Sequence, residues 1–253
     1  MQAEPIRLAQ DVGVSLRPLP PAERAAQADL LRQLSGGVGP SSEQIVGELR
    51  QVILAGGAVP RTAIPVDEVA ALFSVSRIPV REALKTLVGE GLVEHRPRAG
   101  YTITSLTRAE LEELYVVRRV LENAALGAAV ARAGSNHDTE VRAALAGLDG
   151  MAEDGPGYQQ GSRRFHTALV TSSRMYRLLA MLESAWNLTE PFQLMRHTPP
   201  ETRRSLQDDH REMADAFTAR DADRLLAAAE RHSLTLEGIV AELPPTDGLT
   251  VEP

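Results

Sequence analysis

The chain has 253 residues and a formal net charge of −7, with 43% hydrophobic residues, 24% charged residues and no cysteine. This length allows one large domain or two ordinary ones with hydrophobic cores of their own. The lack of cysteine excludes disulfide frameworks, Cys-ligated zinc and thiol nucleophiles, and it agrees with a cytoplasmic location. No stretch of about 18 uninterrupted apolar residues is present, so we expect no membrane-spanning helix, and the first residues lack the features of a signal peptide.

The negative charge is unevenly distributed along the chain. Residues 41–104 carry seven basic and seven acidic side chains, whereas the chain from residue 105 onward carries sixteen basic and twenty-three acidic ones. The acidic excess therefore belongs to the C-terminal part. The net charge does not exclude a nucleic-acid-binding surface in the first part of the chain.

Residues 1–40 are rich in proline, glycine and alanine, with turn signals at residues 18–21 and 36–40. A short helix from about residue 22 to residue 34 fits between these turns. We expect the whole segment to be a flexible N-terminal extension.

Residues 41–104 show the pattern of three helices followed by a β-hairpin. Ser42 suits the N-cap of a first helix, a second short helix begins near Pro65, and Ser76 suits the N-cap of a third. Two β-rich stretches then flank a turn at residues 97–100. Together these elements predict a winged helix-turn-helix domain, which binds DNA in many proteins.

The third helix combines an apolar face with a basic one. Arg77, Arg81 and Lys85 are four residues apart and fall opposite the apolar residues of the same helix. Arginine can donate two hydrogen bonds to guanine, so such a helix can read the major groove with its N-terminal end. A solvated basic face would have the same spacing, and the spacing alone does not separate the two interpretations.

The turn of the hairpin carries further basic residues. Arg96 and Arg98, with His95 beside them, lie where a wing contacts phosphate or the minor groove. Gly100 permits a positive φ or a close backbone approach at this turn.

Several short motifs in this region match a known family in order. Residues 76–84 (SRIPVREAL), 90–93 (EGLV) and 98–101 (RAGY), with Leu49-Arg50 upstream, closely resemble the signature of the GntR family of bacterial transcriptional regulators. The sequence departs from the family pattern at Pro60-Arg61, where Pro-Gly is usual, and at Val66, where a carboxylate is common. The resemblance implies a double-stranded operator as partner, contacted by Arg77, Arg81 and the wing glycine, Gly100. Ser76 and Lys85 of the same helix and Arg96 and Arg98 of the wing complete the predicted set of DNA-contacting residues.

From Thr107 the chain reads as successive helices to about Leu243, without a strand signal of comparable quality. The fold class is therefore mainly α, with the winged helix-turn-helix followed by an antiparallel all-α bundle over residues 105–243. Residues 244–253, which begin with two prolines, are expected to form a C-terminal tail.

Two histidines are placed symmetrically about a predicted break between helices. His210 and His232 each lie eleven residues from Asp221. If the two helices fold back antiparallel, both imidazoles lie about 16 Å from the turn and level with each other. His166 on another helix can complete a cluster suited to Zn²⁺ or Ni²⁺. The other interpretation is that each histidine is a hydrogen-bonded core residue.

This region resembles, more loosely, the FadR-like branch of the GntR family, which has an all-helical FCD (FadR C-terminal) ligand-binding domain. Residues 118–122 (RRVLE), Phe165-His166, His210 and His232 carry the likeness. It implies a divalent metal on the three histidines and a small organic acid as effector. It also implies an aspartate one turn before the Phe-His pair, but that position is Ser162. A hydroxyl is a poorer ligand than a carboxylate, and an effector carboxylate or a water can fill the gap.

Arg118 is the best candidate to neutralise an anionic effector, because a guanidinium can hold a carboxylate through two parallel hydrogen bonds. The other interpretation is a salt bridge within the bundle to Glu122, four residues further on.

These features predict a homodimeric regulator in which two reading helices bind the halves of a pseudo-palindromic operator and an effector changes DNA affinity. One alternative is a dimeric DNA-binding protein with a bundle that senses nothing. Another is a metal-dependent hydrolase built on the histidines. The sequence has no Gly-rich phosphate loop, nucleophile elbow or His-Glu-x-x-His helix, so we do not expect an enzyme.

Overall fold

The computed structural model describes residues 20–151, residues 157–243 and Leu249. Within these residues the chain forms ten α-helices, two short 3-10 helices and one antiparallel sheet of three strands, which confirms the mainly helical fold class. The elements are α1 Pro21–Gln33, α2 Ser42–Leu54, β1 Ala63–Ile64, α3 Val66–Leu72, α4 Arg77–Gly89, β2 Val93–Arg96, β3 Gly100–Ile103, α5 Arg108–Val130, α6 Ser135–Asp149, α7 Tyr158–Thr171, α8 Tyr176–Thr189, the 3-10 helices Glu190–Phe192 and Leu194–His197, α9 Pro200–Ala219 and α10 Ala222–Glu242.

The three helices α2 to α4 and the sheet enclose one hydrophobic core, and we call this part the headpiece. In the sheet, β3 lies between β1 and β2 and pairs antiparallel with both. The predicted hairpin is β2 and β3. The third strand, β1, was not predicted, because two residues are too few to show an alternating pattern.

The start of α2 lies one residue before the predicted one. Ser41, not Ser42, is the N-cap, and it exchanges side-chain and backbone hydrogen bonds with Gln44 in a capping box. The position of the cap is decided by the residue three positions later in the chain. From Ser41 that residue is Gln44, whose side chain can bond to the cap backbone, whereas from Ser42 it is Ile45, which has no side-chain hydrogen-bonding group. Ser76 occupies the N-cap position of α4 as predicted, but its side chain makes no capping hydrogen bond.

The segment before the headpiece is partly structured. The predicted short helix is α1, and its Leu30, together with Leu34 just after it, is buried in the headpiece core. The described part of residues 1–40 thus includes a packed helix where the sequence indicated a flexible extension. The reason is that the apolar side of α1 finds a partner in the headpiece, which the composition of the segment does not reveal.

Helices α5 to α10 form a separate bundle, which we call the sensor bundle. Thr107 and Glu110 form a capping box at the start of α5. The turn between α9 and α10 falls at Arg220 and Asp221, where Asp221 caps α10, so the predicted break and antiparallel return are confirmed. No strand follows β3 in the described residues. Of the predicted tail only Leu249 is described, and it is buried in a small core with the start of α5 and the end of α10.

None of the helices in the described part of the chain has both the length and the apolar character required to cross a lipid bilayer.

Candidate DNA-binding surface and metal centre

Helix α4 has the amphipathic character that its sequence predicts. Val80, Leu84 and Leu87 are fully buried in the headpiece core. Arg77 and Arg81 are exposed on the other side of the helix, as is Lys85. Burial of the apolar side fixes the helix on the headpiece, and the cations are left accessible to a DNA duplex.

Two of these cations make ion pairs on the protein surface. Arg77 pairs with Asp67 of α3, with 3.0 Å between Nη2 and Oδ2, and Lys85 pairs with Glu82 at 2.9 Å. Exposed pairs of this kind contribute little to stability, so a phosphate or base edge can replace the carboxylate. Arg81 makes no ion pair with any described residue.

The wing presents its basic residues to solvent. Arg96 and Arg98 are exposed, and Arg96 pairs with Glu94 at 3.0 Å. Gly100 has a φ of +86°, in agreement with the conformation predicted for it, and Arg98 also has a positive φ of +69°. Arg98 is thus held in a left-handed turn that few non-glycine residues adopt.

One residue of α4 was not singled out from the sequence. Ile78 follows Arg77 and is 71% exposed, which is unusual for a large aliphatic side chain. An apolar side chain at the N-terminal end of a reading helix can contact the methyl group of thymine. Only its exposure in the folded chain distinguishes Ile78 from the apolar core residues.

The three histidines of the sensor bundle converge as predicted. His166 lies on α7, His210 on α9 and His232 on α10, and all three are buried. The ring centroids of His210 and His232 are 4.6 Å apart, and the ring centroid of His166 lies 5.1 Å from each of them. One nitrogen from each ring falls within 4.8 Å of the others, which is compatible with a single shared ion.

Hydrogen bonds fix the orientation of the His166 and His210 rings. His166 Nδ1 lies 2.5 Å from Glu122 Oε1, and His210 Nδ1 lies 3.0 Å from Gln207 Oε1. The Gln207 amide is itself oriented, because its Nε2 donates to Asp149 and its Oε1 accepts from the Tyr158 hydroxyl. Both Nδ1 atoms therefore carry the proton.

A neutral imidazole protonated on Nδ1 has a lone pair on Nε2. The Nε2 atoms of His166 and His210 face each other at 3.2 Å, so a proton or a cation must lie between them to avoid repulsion of two lone pairs. Burial, followed by the charges of neighbouring groups, holds the pKa of both His210 and His232 well below the ordinary value. Their rings are neutral at pH 7 and suited to binding a metal ion. The residues present thus fit a divalent cation.

Two small cavities adjoin the histidines, and we call them the sensor cavities. They have volumes of about 50 and 40 Å³ and share three lining residues, Arg118, Gln159 and Ser162. His210 and His232 line one of them, and His166 lines the other. By volume each holds about three waters, so as they stand they suit a ligand of few atoms.

Arg118 is positioned to receive a negative charge in these cavities. Its Nη1 donates to Thr189 at 3.0 Å, and its guanidinium lies 4.6 Å from the centre of the Tyr115 ring. Its Nε is buried without a hydrogen-bond partner among the residues that the structure describes. The salt bridge to Glu122 that the sequence allowed is not formed.

A second carboxylate of the site, Glu190, was not predicted. It is buried and pairs with Arg163, which also donates to Asn187 at 2.8 Å. Burial raises its pKa, although Arg163 partly opposes this effect. Glu190 Oε1 has no hydrogen-bond partner. Nothing in the sequence separates Glu190 from surface glutamates. The only sequence feature that could have indicated the role of Gln207 is its position one turn before His210.

Comparison with known proteins agrees with this architecture. Residues 41–103 match the family model described as bacterial regulatory proteins, gntR family, and residues 113–235 match the FCD domain. The chain is 31% identical over 208 residues to the probable D-xylose utilization operon transcriptional repressor of Paenarthrobacter nicotinovorans, covering 80% of this chain and 85% of that one. It is 26% identical over 197 residues to the HTH-type transcriptional repressor GlaR of Escherichia coli, covering 74% and 90%.

Among solved structures, Escherichia coli McbR/YncC has the same fold, with a TM-score of 0.69, 22% identity and coverage of 79% of this chain and 97% of that one. The headpiece thus corresponds to the gntR-family match, and the bundle corresponds to the FCD match. The relatives are transcriptional regulators and not enzymes. The chain belongs to the GntR family of DNA-binding transcriptional regulators, as a member with a C-terminal FCD domain.

Proposed function

We propose that the protein is a homodimer whose affinity for operator DNA is set by a small organic acid bound beside a divalent cation in the sensor bundle. The observation that carries this proposal is the approach of two Nε2 lone pairs, on His166 and His210, to 3.2 Å. A cation between the rings, like a shared proton, removes the repulsion of the two lone pairs. His232 is the third ligand in the proposal.

The surroundings of the histidines support a metal centre rather than three ordinary core residues. A histidine that binds zinc usually donates a hydrogen bond from its other ring nitrogen to a second group. Here Glu122 accepts such a bond from His166, and Gln207 accepts one from His210. Zn²⁺ or Ni²⁺ would supply positive charge to which an anion can bind. The residues of the chain orient the rings and exclude bulk water.

The charge of the site supports an anionic effector. The three imidazoles and the Ser162 hydroxyl bring no negative charge to a cation, and Arg118 adds a positive charge at the same cavities. A carboxylate can satisfy both the cation and the guanidinium. The small volumes favour a short acid with few non-hydrogen atoms.

The proposed DNA contacts are divided between α4 and the wing. Arg77, Arg81 and Lys85, with Ser76 at the start of the helix, would enter the major groove, and Ile78 would meet a thymine methyl group. Arg96 and Arg98, with Gly100 in the turn, would contact phosphate or the minor groove. The exposure of all five basic side chains supports this assignment.

The test uses operator sequences selected from a random DNA library by the full-length protein. DNA affinity is then measured with and without Zn²⁺ and a panel of short mono- and dicarboxylic acids. We expect at least one acid, in the presence of Zn²⁺, to change the dissociation constant by about five- to 150-fold. Melting temperatures under the same conditions report binding to the bundle. If no metal or acid changes either quantity, the bundle only dimerises and the proposal is wrong.

A further inference from the structure

A short segment joins the sensor cavities to the headpiece. It consists of residues 188–193, which run from the end of α8 through the first 3-10 helix, and we call it the bridging segment. One end of it lines a sensor cavity through Thr189 and Glu190. The other end, at Gln193, touches α2 of the headpiece.

The segment contacts the headpiece through the Leu188 side chain, which packs beside Gly91, and through the Gln193 side chain, which makes the hydrogen bond. Gln193 Nε2 donates to the carbonyl oxygen of Leu54, the last residue of α2, at 3.0 Å. Its side chain lies so close to Gly56 that a Cβ on that glycine would come within 2.3 Å of Gln193 Cγ. Gln193 itself has a positive φ of +48°, which is uncommon for a residue other than glycine, so the surrounding contacts must hold its backbone in this conformation.

The same side-chain amide also holds the part of the segment that faces the cavity. Gln193 Nε2 donates to the carbonyl oxygen of Glu190 at 3.0 Å, and Gln159 Nε2 donates to that oxygen at 3.3 Å. Gln159 lines both sensor cavities and its Oε1 is buried without a partner. The Glu190 carbonyl thus receives one hydrogen bond from the cavity wall, through Gln159, and two from Gln193, whose backbone N–H also donates to it at 3.1 Å.

The end of α2 is connected firmly to the reading helix. Arg50 of α2 forms two hydrogen bonds with Glu90, which directly follows α4, at 2.8 and 2.5 Å. Leu49 and Ile53 of α2 are fully buried in the core that α4 also fills. A displacement of the Leu54 end of α2 would therefore be passed to α4, because a packed core moves as a unit.

We propose that Gln193 is the positioning residue through which occupancy of the sensor cavities alters the placement of the headpiece. The two amide hydrogens of Gln193 are divided between Leu54 and Glu190, so a ligand that moves Glu190 or Gln159 must either carry Leu54 along or break a hydrogen bond. This inference rests on the proposed function, since it requires a ligand in the bundle.

The test follows hydrogen–deuterium exchange of the full-length protein with and without Zn²⁺. Residues 189–193 report the cavity side and residues 50–57 report the headpiece side. In the wild-type protein we expect Zn²⁺ to change exchange in both segments, by about fivefold, the lower end of ordinary allosteric coupling. In Gln193→Ala the cavity side should respond as before, whereas the headpiece side should not respond.

Two further variants separate this role from a general loss of structure. Gly56→Ala, which pushes the Gln193 side chain away from α2 and also strains the backbone at a φ of +68°, should abolish the headpiece response in the same way. Gln51→Ala, on an exposed position of the same helix, should retain it. The rise in melting temperature on Zn²⁺ addition should be the same in all four proteins.

The outcomes distinguish the two proposals. A headpiece response that persists in Gln193→Ala, or one that is absent in the wild type while the cavity side responds, overturns the role of Gln193 and leaves the proposed function intact. If Zn²⁺ changes neither the exchange of the wild type nor its melting temperature, the proposed metal centre is wrong, and the inference is overturned with it.

Discussion

Arg118 and Glu122 lie one turn apart on α5 and do not form an ion pair with each other. Glu122 bonds to His166, and Arg118 donates to Thr189. Burial alone would raise the pKa of Glu122, but His166 and then Arg118 hold it below the ordinary value, so the group is an anion. In the proposed metal centre, this division leaves a carboxylate to orient a metal ligand and a guanidinium to receive an anionic effector.

Replacing Glu122 tests its role behind the histidine. In Glu122→Gln the negative charge behind His166 is lost, and we expect the affinity for Zn²⁺ to fall by about ten- to 100-fold, the usual effect of losing such a partner. Competition with a chromogenic chelator measures the affinity. Glu113→Gln, on the exposed side of the same helix, should bind as the wild type does. Equal affinity in both variants would show that Glu122 does not orient a ligand.

Ser162 occupies the position at which the resemblance to the FadR-like branch implies an aspartate ligand. In Ser162→Asp a carboxylate one turn before His166 would satisfy the cation, and we expect Zn²⁺ to bind at least about tenfold more tightly without any acid, or about 1.4 kcal/mol. The added charge should also weaken the binding of an organic acid. The control is Ser162→Asn, because asparagine has nearly the size of aspartate but carries no charge. Isothermal titration measures both ligands, and tighter Zn²⁺ binding in the Asn variant as well would contradict the argument from charge.

The buried neutral histidines make the stability of the metal-free protein depend on pH. The pKa of both His210 and His232 is lowered on folding, so below about pH 6.5 the unfolded chain binds protons that the folded chain does not. The stabilisation that these two histidines contribute is therefore fully present above this pH and is lost as pH falls.

For two such groups we expect the free energy of unfolding to drop by about 1.5 kcal/mol between pH 7.5 and 6.0. Urea denaturation in the presence of a chelator measures it. His232→Gln should remove about half of the drop, whereas His95→Gln, on the exposed wing, should not alter it. An unchanged or rising stability on acidification would mean that the rings accept protons in the folded state.

Helix α4 allows a test that separates the recognition of bases from the attraction of phosphates by positive charge. Arg81→Lys keeps the positive charge but loses the two parallel hydrogen bonds to guanine, and we expect specific binding to weaken by about 1–3 kcal/mol. Its dependence on salt should stay the same, because the number of phosphates neutralised is unchanged. Competition with random DNA measures the specificity. Arg142→Ala, on an exposed position of α6, is the control, and a loss of the same size there would remove Arg81 from the base-reading role.

The sequence by itself determined the elements whose signal is local. The apolar and basic faces of α4 follow from residues three and four apart, and the long helix predicted to open at Thr107 is α5, with Thr107 as its N-cap. The level placement of His210 and His232 could also be predicted, because their equal distances from Asp221 translate directly into equal rises along two antiparallel helices.

Only the tertiary structure decided which groups meet when both are distant in the chain. It turned Glu122 toward His166 rather than Arg118, placed α1 on the headpiece, and brought Gln193 against Leu54 and Gly56. Such contacts leave no periodic pattern in the sequence. They depend on how the helices pack against one another and on which polar groups become buried beside each other. A buried group must find a partner or bear the cost of desolvation, and that choice is made by the folded molecule as a whole.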